Sequence, residues 1–250
     1  MRHFRCRKVG WTALLLGLAC AKSPATPGAP LPPADTTATT KTDTATVTIV
    51  EKYQTYLALG DSYTIGQSVG DSDRYPVQAV KTLKTRGDTV EPPEIIAVTG
   101  WTTANLLYAL AQSPPRLKTY SRVTLLIGVN NQYQGGALST YRTEFTQLLQ
   151  MAIHWAGDTP AHVVVLSIPD YADSPYGQTR SDTASISAQI DQFNAANYQI
   201  SVQYGVKYLD ITPWTRQAKG NSALFAYDGL HYSGAEMALW AQGLVKLWIN

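Results

Sequence analysis

Five short apolar runs, each stopped by a glycine, a proline or an aspartate, constrain this chain more than any other feature of its sequence. They are Tyr56–Leu59 before Gly60, Glu94–Val98 before Gly100, Val123–Ile127 before Gly128, Val163–Ile168 before Pro169, and Val206–Leu209 before Asp210. The runs do not alternate apolar with polar, which is the pattern of strands buried on both faces, as in a parallel sheet. Helical spacing fills the gaps. Tyr141, Phe145, Leu148, Ala152 and Trp155 share one helical face, as do Ile186, Ile190, Phe193, Ala196 and Ile200. Ser233 followed by Glu236 has the form of a capping box opening a last helix from about Gly234 to Trp248. Strands alternating with helices predict an α/β fold, a single three-layer α/β/α sandwich over residues 47–250.

Ligands of such sheets bind beyond the carboxyl ends of the strands, so the residues just after each run carry the functional question. Gly60-Asp61-Ser62 follows the first run, Gly100 the second, and Gly128-Val129-Asn130 the third. Asp228-Gly229-Leu230-His231 stands after the fifth, ahead of the last helix. A serine hydroxyl is a weak nucleophile until a base takes its proton. A histidine performs that task near neutral pH, and an acid on its other ring nitrogen fixes the tautomer. Donors must then meet the developing oxyanion. Taken singly, each piece has an ordinary explanation: Gly-Asp-Ser is a common turn, a glycine after a strand is a turn residue, and Asp228 and His231 suit a loop ahead of a helix. Their joint order along one rim is far more specific than any one of them.

On these four blocks, spanning roughly residues 53–250, the chain resembles the SGNH-hydrolase, or GDSL-esterase, family. The resemblance implies Ser62 as nucleophile, His231 as base and Asp228 as its partner. It also implies an oxyanion hole from the backbone N–H groups of Ser62 and Gly100 and the side-chain amide of Asn130. The implied sheet has five parallel strands in flavodoxin-like order. Tyr232 follows His231 where the family often has proline, a departure that touches loop shape and the pocket rim. The implied reaction is hydrolysis of a carboxylic ester through an acyl-Ser62 intermediate, with no cofactor. An acylated carbohydrate or another small ester is the expected substrate. A lysophospholipase or thioesterase role is the alternative within the class, and a non-catalytic carbohydrate-binding lipoprotein the alternative outside it.

Rival features were weighed against these. Gly66-Gln67-Ser68-Val69-Gly70 is a literal G-x-S-x-G, yet that nucleophile elbow joins a strand directly to a helix, and only three residues separate Ser62 from Gly66. Asp170 is a second candidate acid for His231, disfavoured because Asp228 lies only three residues away in sequence. His154 and His162 read as surface residues. Tyr63, Trp101, Tyr133 and Tyr232 adjoin the blocks and suit either packing or a sugar-stacking rim. No His, Asp or Glu cluster has metal-ligand spacing, and no glycine-rich phosphate loop appears.

Charge and cysteine placement describe the N-terminus. The whole chain carries +2; Arg2, Arg5, Arg7 and Lys8 place +4 in the first twenty residues, leaving −2 for the rest. A near-neutral body argues against nucleic acid as the main partner. Both cysteines, Cys6 and Cys20, lie in that first segment, which excludes thiol catalysis and disulfide scaffolds in the body. A basic stretch, a short apolar run from Trp11 to Ala19 and small residues form a secretory signal pattern over residues 1–20. Its end reads in two ways, as ordinary cleavage around Ala19-Cys20-Ala21 or as a lipobox-like Gly17-Leu18-Ala19-Cys20 with lipid on Cys20. Residues 21–46 hold 8 Thr, 6 Ala and 5 Pro, the composition of a tether, which favours the anchored, extracytoplasmic reading over plain secretion. Replacing Cys20→Ser is expected to move the protein from the membrane fraction to the soluble one; wild-type protein already free in the medium would leave ordinary secretion as the only reading.

Overall fold

The computed structural model describes residues 53–249. The signal, the tether and Cys20 lie outside the described residues. The five runs form five parallel strands, β1 (Tyr56–Gly60), β2 (Glu94–Ala97), β3 (Arg122–Leu126), β4 (Val163–Leu166) and β5 (Lys207–Leu209). Their order across the sheet is β2-β1-β3-β4-β5, the flavodoxin-like order expected from the family resemblance. Strands β1 and β4 are buried at every residue, which is why their sequences do not alternate.

Among the described residues, eight α-helices connect and cover the strands: α1 (Ser62–Ile65), α2 (Tyr75–Thr85), α3 (Thr103–Gln112), α4 (Val129–Tyr133), α5 (Leu138–Trp155), α6 (Thr183–Gln203), α7 (Thr212–Gln217) and α8 (Gly234–Ile249). Helix α2 packs on α8, and α5 packs on both α3 and α6, so two helical rows flank the sheet. The periodic faces behave as their spacing requires. Tyr141, Phe145, Leu148 and Ala152 of α5 are buried, with Trp155 half-buried at the helix end. All five periodic residues of α6 are buried. None of the described helices is long and apolar enough to cross a membrane.

The capping box before α8 is only half formed. The Glu236 backbone N lies 3.5 Å from Ser233 Oγ, but the Glu236 carboxylate turns inward and accepts from Trp240 Nε1 at 3.0 Å. The Ser233 N–H that it was expected to reach donates instead to the Leu224 carbonyl. A neighbouring aromatic core, with Trp240 fully buried among Tyr63, Tyr75 and Tyr232, draws the side chain away from the helix end. At α3 the reciprocal box does form, between Thr102 and Asn105.

Register explains how the strand ends converge. Gly60 sits opposite Ala97 on one side and Leu126 on the other. The residues just beyond these three positions therefore share one rim. Gly60 allows the tight turn into α1, because a Cβ there would lie 2.4 Å from the Leu126 carbonyl oxygen and 2.1 Å from Thr64 Oγ1.

The turn also buries a carboxyl. Asp61 caps α1 by accepting from the Tyr63 N–H at 3.0 Å, while its Oδ2 has no hydrogen-bond partner among the described residues. Burial pushes its pKa up to about 7, against the pull of the backbone hydrogen bonds. The unfolded chain ionises this group near 3.9. Stability contributed by the neutral form is thus complete below about pH 4 and lost as pH rises toward 7, by on the order of 4 kcal/mol. Thermal melts should show a lower melting temperature at pH 8 than at pH 5 in the wild type and a smaller drop in Asp61→Asn; parallel curves for the two proteins would contradict the assignment.

Candidate active site

Three strand ends and the loop before α8 meet at one small pocket. Ser62, Asn130 and His231 line it together with Tyr63, Val129, Tyr133, Tyr171 and Leu230, around a volume of about 160 Å³. Ser62 is the first residue of α1, in the first helical turn, where backbone N–H groups lack intrahelical partners. It is 4% exposed and His231 7%. No hydrogen bond joins the two side chains among the described residues; contacts of this kind are often long before substrate arrives.

His231 is fixed from behind. Its Nδ1 lies 2.6 Å from Asp228 Oδ2, which leaves Nε2 as the ring nitrogen that can serve the pocket. Asp228 Oδ1 accepts from the backbone N–H groups of Leu230 and His231, both at 2.9 Å. Burial alone would raise the pKa of Asp228; the hydrogen bonds from Ser68, His231 and Leu230 outweigh it and bring it down to about 2. The loop is pinned on both flanks. The Ala226 N–H donates to the His231 carbonyl, Phe225 bridges to Tyr232, and the Tyr176 N–H donates to the Gly229 carbonyl.

Asn130 stands four residues beyond the end of β3, in α4. The turn that aims it needs Gly128, whose φ is +131° and whose Cβ would lie 2.6 Å from the Tyr141 ring. One hydrogen of the Asn130 amide is committed to the Trp101 carbonyl at 2.9 Å, leaving its second free. The next residue, Asn131, binds both the N–H and the hydroxyl of Thr103, and Thr103 in turn donates to Glu144. Two consecutive asparagines thereby tie α4 to the turn after β2. Gly100 lies in that turn, exposed, with its carbonyl 3.4 Å from the Gln134 side-chain nitrogen. It belongs to the same rim but does not line the 160 Å³ pocket.

The rival residues find other work. Asp170 is fully buried and pairs with Arg216 Nε at 2.9 Å, and His231 is not among its partners. His154 is 72% exposed beside Asp158. Ser68 sits past the left-handed cap at Gly66 rather than on a strand-to-helix elbow. Of the four aromatic residues beside the blocks, Tyr63 and Tyr232 take the packing role, at 2% and 0% exposed. Both face the Trp240 cluster, and the Tyr232 hydroxyl donates to the Asp170 carbonyl at 2.9 Å. Tyr133 remains on the rim at 50% exposure, edge-on to Tyr171 and with its hydroxyl 3.0 Å from that of Tyr176. The sequence reading missed Tyr171 and Leu230 as lining residues. Tyr171 follows the fourth run in Ile168-Pro169-Asp170-Tyr171, and that position was the available signal.

Solved structures share this architecture. The crystal structure of TesA is 19% identical, with a TM-score of 0.59 over 78% of this chain and 97% of its own. The acetylxylan esterase Axe2 from Geobacillus stearothermophilus is 17% identical, with a TM-score of 0.61 over 78% and 94%. The lipase/acylhydrolase from Enterococcus faecalis is 18% identical, with a TM-score of 0.59 over 77% and 94%. At these identities the likeness establishes the fold. No curated protein matches the chain. The sequence pattern of one family matches residues 58–239, from inside β1 to within α8, and so covers all four blocks. With that match over most of its length, the chain belongs to the GDSL-like lipase/acylhydrolase family and is an ester-hydrolysing enzyme.

Proposed function

We propose that the protein is an exported serine esterase that removes short acyl groups from a carbohydrate through an acyl-Ser62 intermediate. The observation that carries this reading is the single pocket in which Ser62, His231 and Asn130 meet, with Asp228 behind the imidazole. In this reading His231 Nε2 takes the Ser62 proton as Oγ attacks the ester carbonyl. The oxyanion accepts from the backbone N–H groups of Ser62 and Gly100 and from the free amide hydrogen of Asn130. Collapse expels the alcohol, which receives the proton from His231. Water then adds to the acyl-enzyme with the same base. No step calls for a metal or a cofactor.

Pocket size supports a short acyl group. A volume of 160 Å³ holds about five water-sized groups, at roughly 30 Å³ each. That size suits acetyl to butyryl chains. The wall of Val129, Tyr171 and Leu230 is apolar or aromatic, as an acyl tail requires. Exposed tyrosines near the site in structure or sequence are the basis for a sugar on the alcohol side. Tyr133 is 50% exposed and Tyr227, next to Asp228, is 89% exposed. Such rings suit the faces of a sugar. The signal-like N-terminus and the tether ending near residue 46 support action outside the cytoplasm, with Cys20 as the lipid attachment point.

Ser62→Ala is expected to lose up to about a millionfold in kcat while melting like the wild type. Asn130→Ala is expected to lose about 10²–10³ in kcat with little change in KM, since its free hydrogen gains most when the carbonyl oxygen becomes an anion. If that residue only shaped the loop, the melting temperature would fall and the rate per folded molecule would stay. A panel of p-nitrophenyl esters from acetyl to palmitoyl should peak at two to four carbons; a maximum at long chains would favour the lysophospholipase or thioesterase reading.

A further inference from the structure

Ser68 is one of two residues other than glycine with a positive φ among the described residues, at +66°. Serine is strained in that region, and strain of this kind persists where surrounding contacts hold it. The contacts are specific. Ser68 Oγ donates to Asp228 Oδ2 at 2.6 Å, the same oxygen that lies 2.6 Å from His231 Nδ1. The loop that delivers it starts at Ser62. The N–H groups of Gly66 and Gln67 both donate to the Ser62 carbonyl, turning the chain back after α1. Gln67 extends the connection, its Oε1 accepting from Thr99 Oγ1 at 2.6 Å, one residue before Gly100.

We propose that Ser68 is a positioning residue of this esterase, its hydroxyl holding the Asp228 carboxylate in the plane in which it orients His231. The proposal rests on the reading of Ser62, His231 and Asp228 given above. Oδ1 is held by two backbone N–H groups, so rotation of the carboxylate is limited on one side by the loop itself. Oδ2 has only two side-chain partners, His231 and Ser68. Without Ser68 the imidazole alone would hold that oxygen, and the carboxylate would be fixed independently of the ring only through Oδ1. A donor shared in this way also tempers the charge that His231 feels. Asp228 has no ion-pair partner other than His231 among the described residues, and the aromatic neighbour of His231 is Tyr63, 5.3 Å away and held neutral by burial. The strained serine ties the segment carrying the nucleophile to the segment carrying acid and base.

Two substitutions separate positioning from mere loop structure. Ser68→Gly removes the hydroxyl and suits a positive φ; Ser68→Ala removes the hydroxyl and stays strained. Both should lose about tenfold in kcat/KM per folded molecule, as expected for a hydrogen bond to a charged group. Both should also shift the acidic limb of the kcat/KM profile to higher pH. With the donor gone, the carboxylate charge acts on the imidazolium undiminished, and His231 keeps its proton longer. Their melting temperatures should differ, with the glycine variant higher. Wild-type kcat/KM and pH profile in Ser68→Gly would overturn the proposal, as would kinetic losses that follow the melting temperatures. Ser62→Ala run in parallel distinguishes the two levels: an active Ser62→Ala overturns the esterase reading and Ser68 with it, whereas an inactive Ser62→Ala beside an unchanged Ser68→Gly overturns only the role of Ser68.

Discussion

The parallel register of β1 between β2 and β3 is the constraint on which the site depends. Gly60 faces Ala97 and Leu126 across the sheet, so the chain leaves three neighbouring strands at one height. From there each segment needs only a few residues to reach its place on the rim: two to Ser62, three to Gly100, four to Asn130. The close approach at Gly60 sets the first of these distances. A side chain there would strike the Leu126 carbonyl and push α1, and Ser62 with it, off the rim. Gly128 does the same for Asn130 against the Tyr141 ring. The two glycines of the motifs are therefore steric requirements of a functional geometry, and their value lies in the packing of the backbone.

Two carboxyls sit near the reacting atoms in opposite environments. Asp61 is sealed beneath Ser62 with one oxygen unpartnered, and burial pushes it up to about 7. Asp228 is 26% exposed and accepts four hydrogen bonds, two from backbone N–H groups and two from side chains, which overcome the effect of burial. Only the second is held ionised across neutral pH, and only the second contacts the imidazole. Burial at Asp61 and hydrogen bonding at Asp228 assign them different work, one to capping α1 and the other to orienting His231.

The strands were legible because both faces of the sheet are covered, leaving continuous apolar runs with sharp stops. Run ends were less exact. Val98 and Ile127 lie beyond their strands, since an apolar residue can serve a turn or the core without pairing in the ladder. Candidate site residues were legible because each follows a strand end at short range, where sequence distance and spatial distance still agree. What could not be read were contacts between segments far apart in the chain. Ser68 and Asp228 are separated by 160 residues, and Ser68 was read as a rival nucleophile motif because nothing local points to its partner. For Tyr63 and Tyr232 the neighbours in sequence left packing and a rim both open. The position of Trp240, on a helix nearer the C-terminus, is what turns them into the core. Glu236 misled for a local reason: Trp240, one turn later, offers the carboxylate a buried partner that competes with the cap.

The central claim is that Ser62 is the hydroxyl activated in this pocket. Reaction of the wild-type protein with a fluorophosphonate, followed by peptide mass spectrometry, reads that claim without a substitution and without knowledge of the substrate. A single phosphonyl adduct on the peptide containing Ser62, located by fragmentation to Ser62 itself, is the result this account predicts. An adduct on Ser68, or a protein that hydrolyses esters yet takes up no phosphonate, would contradict it.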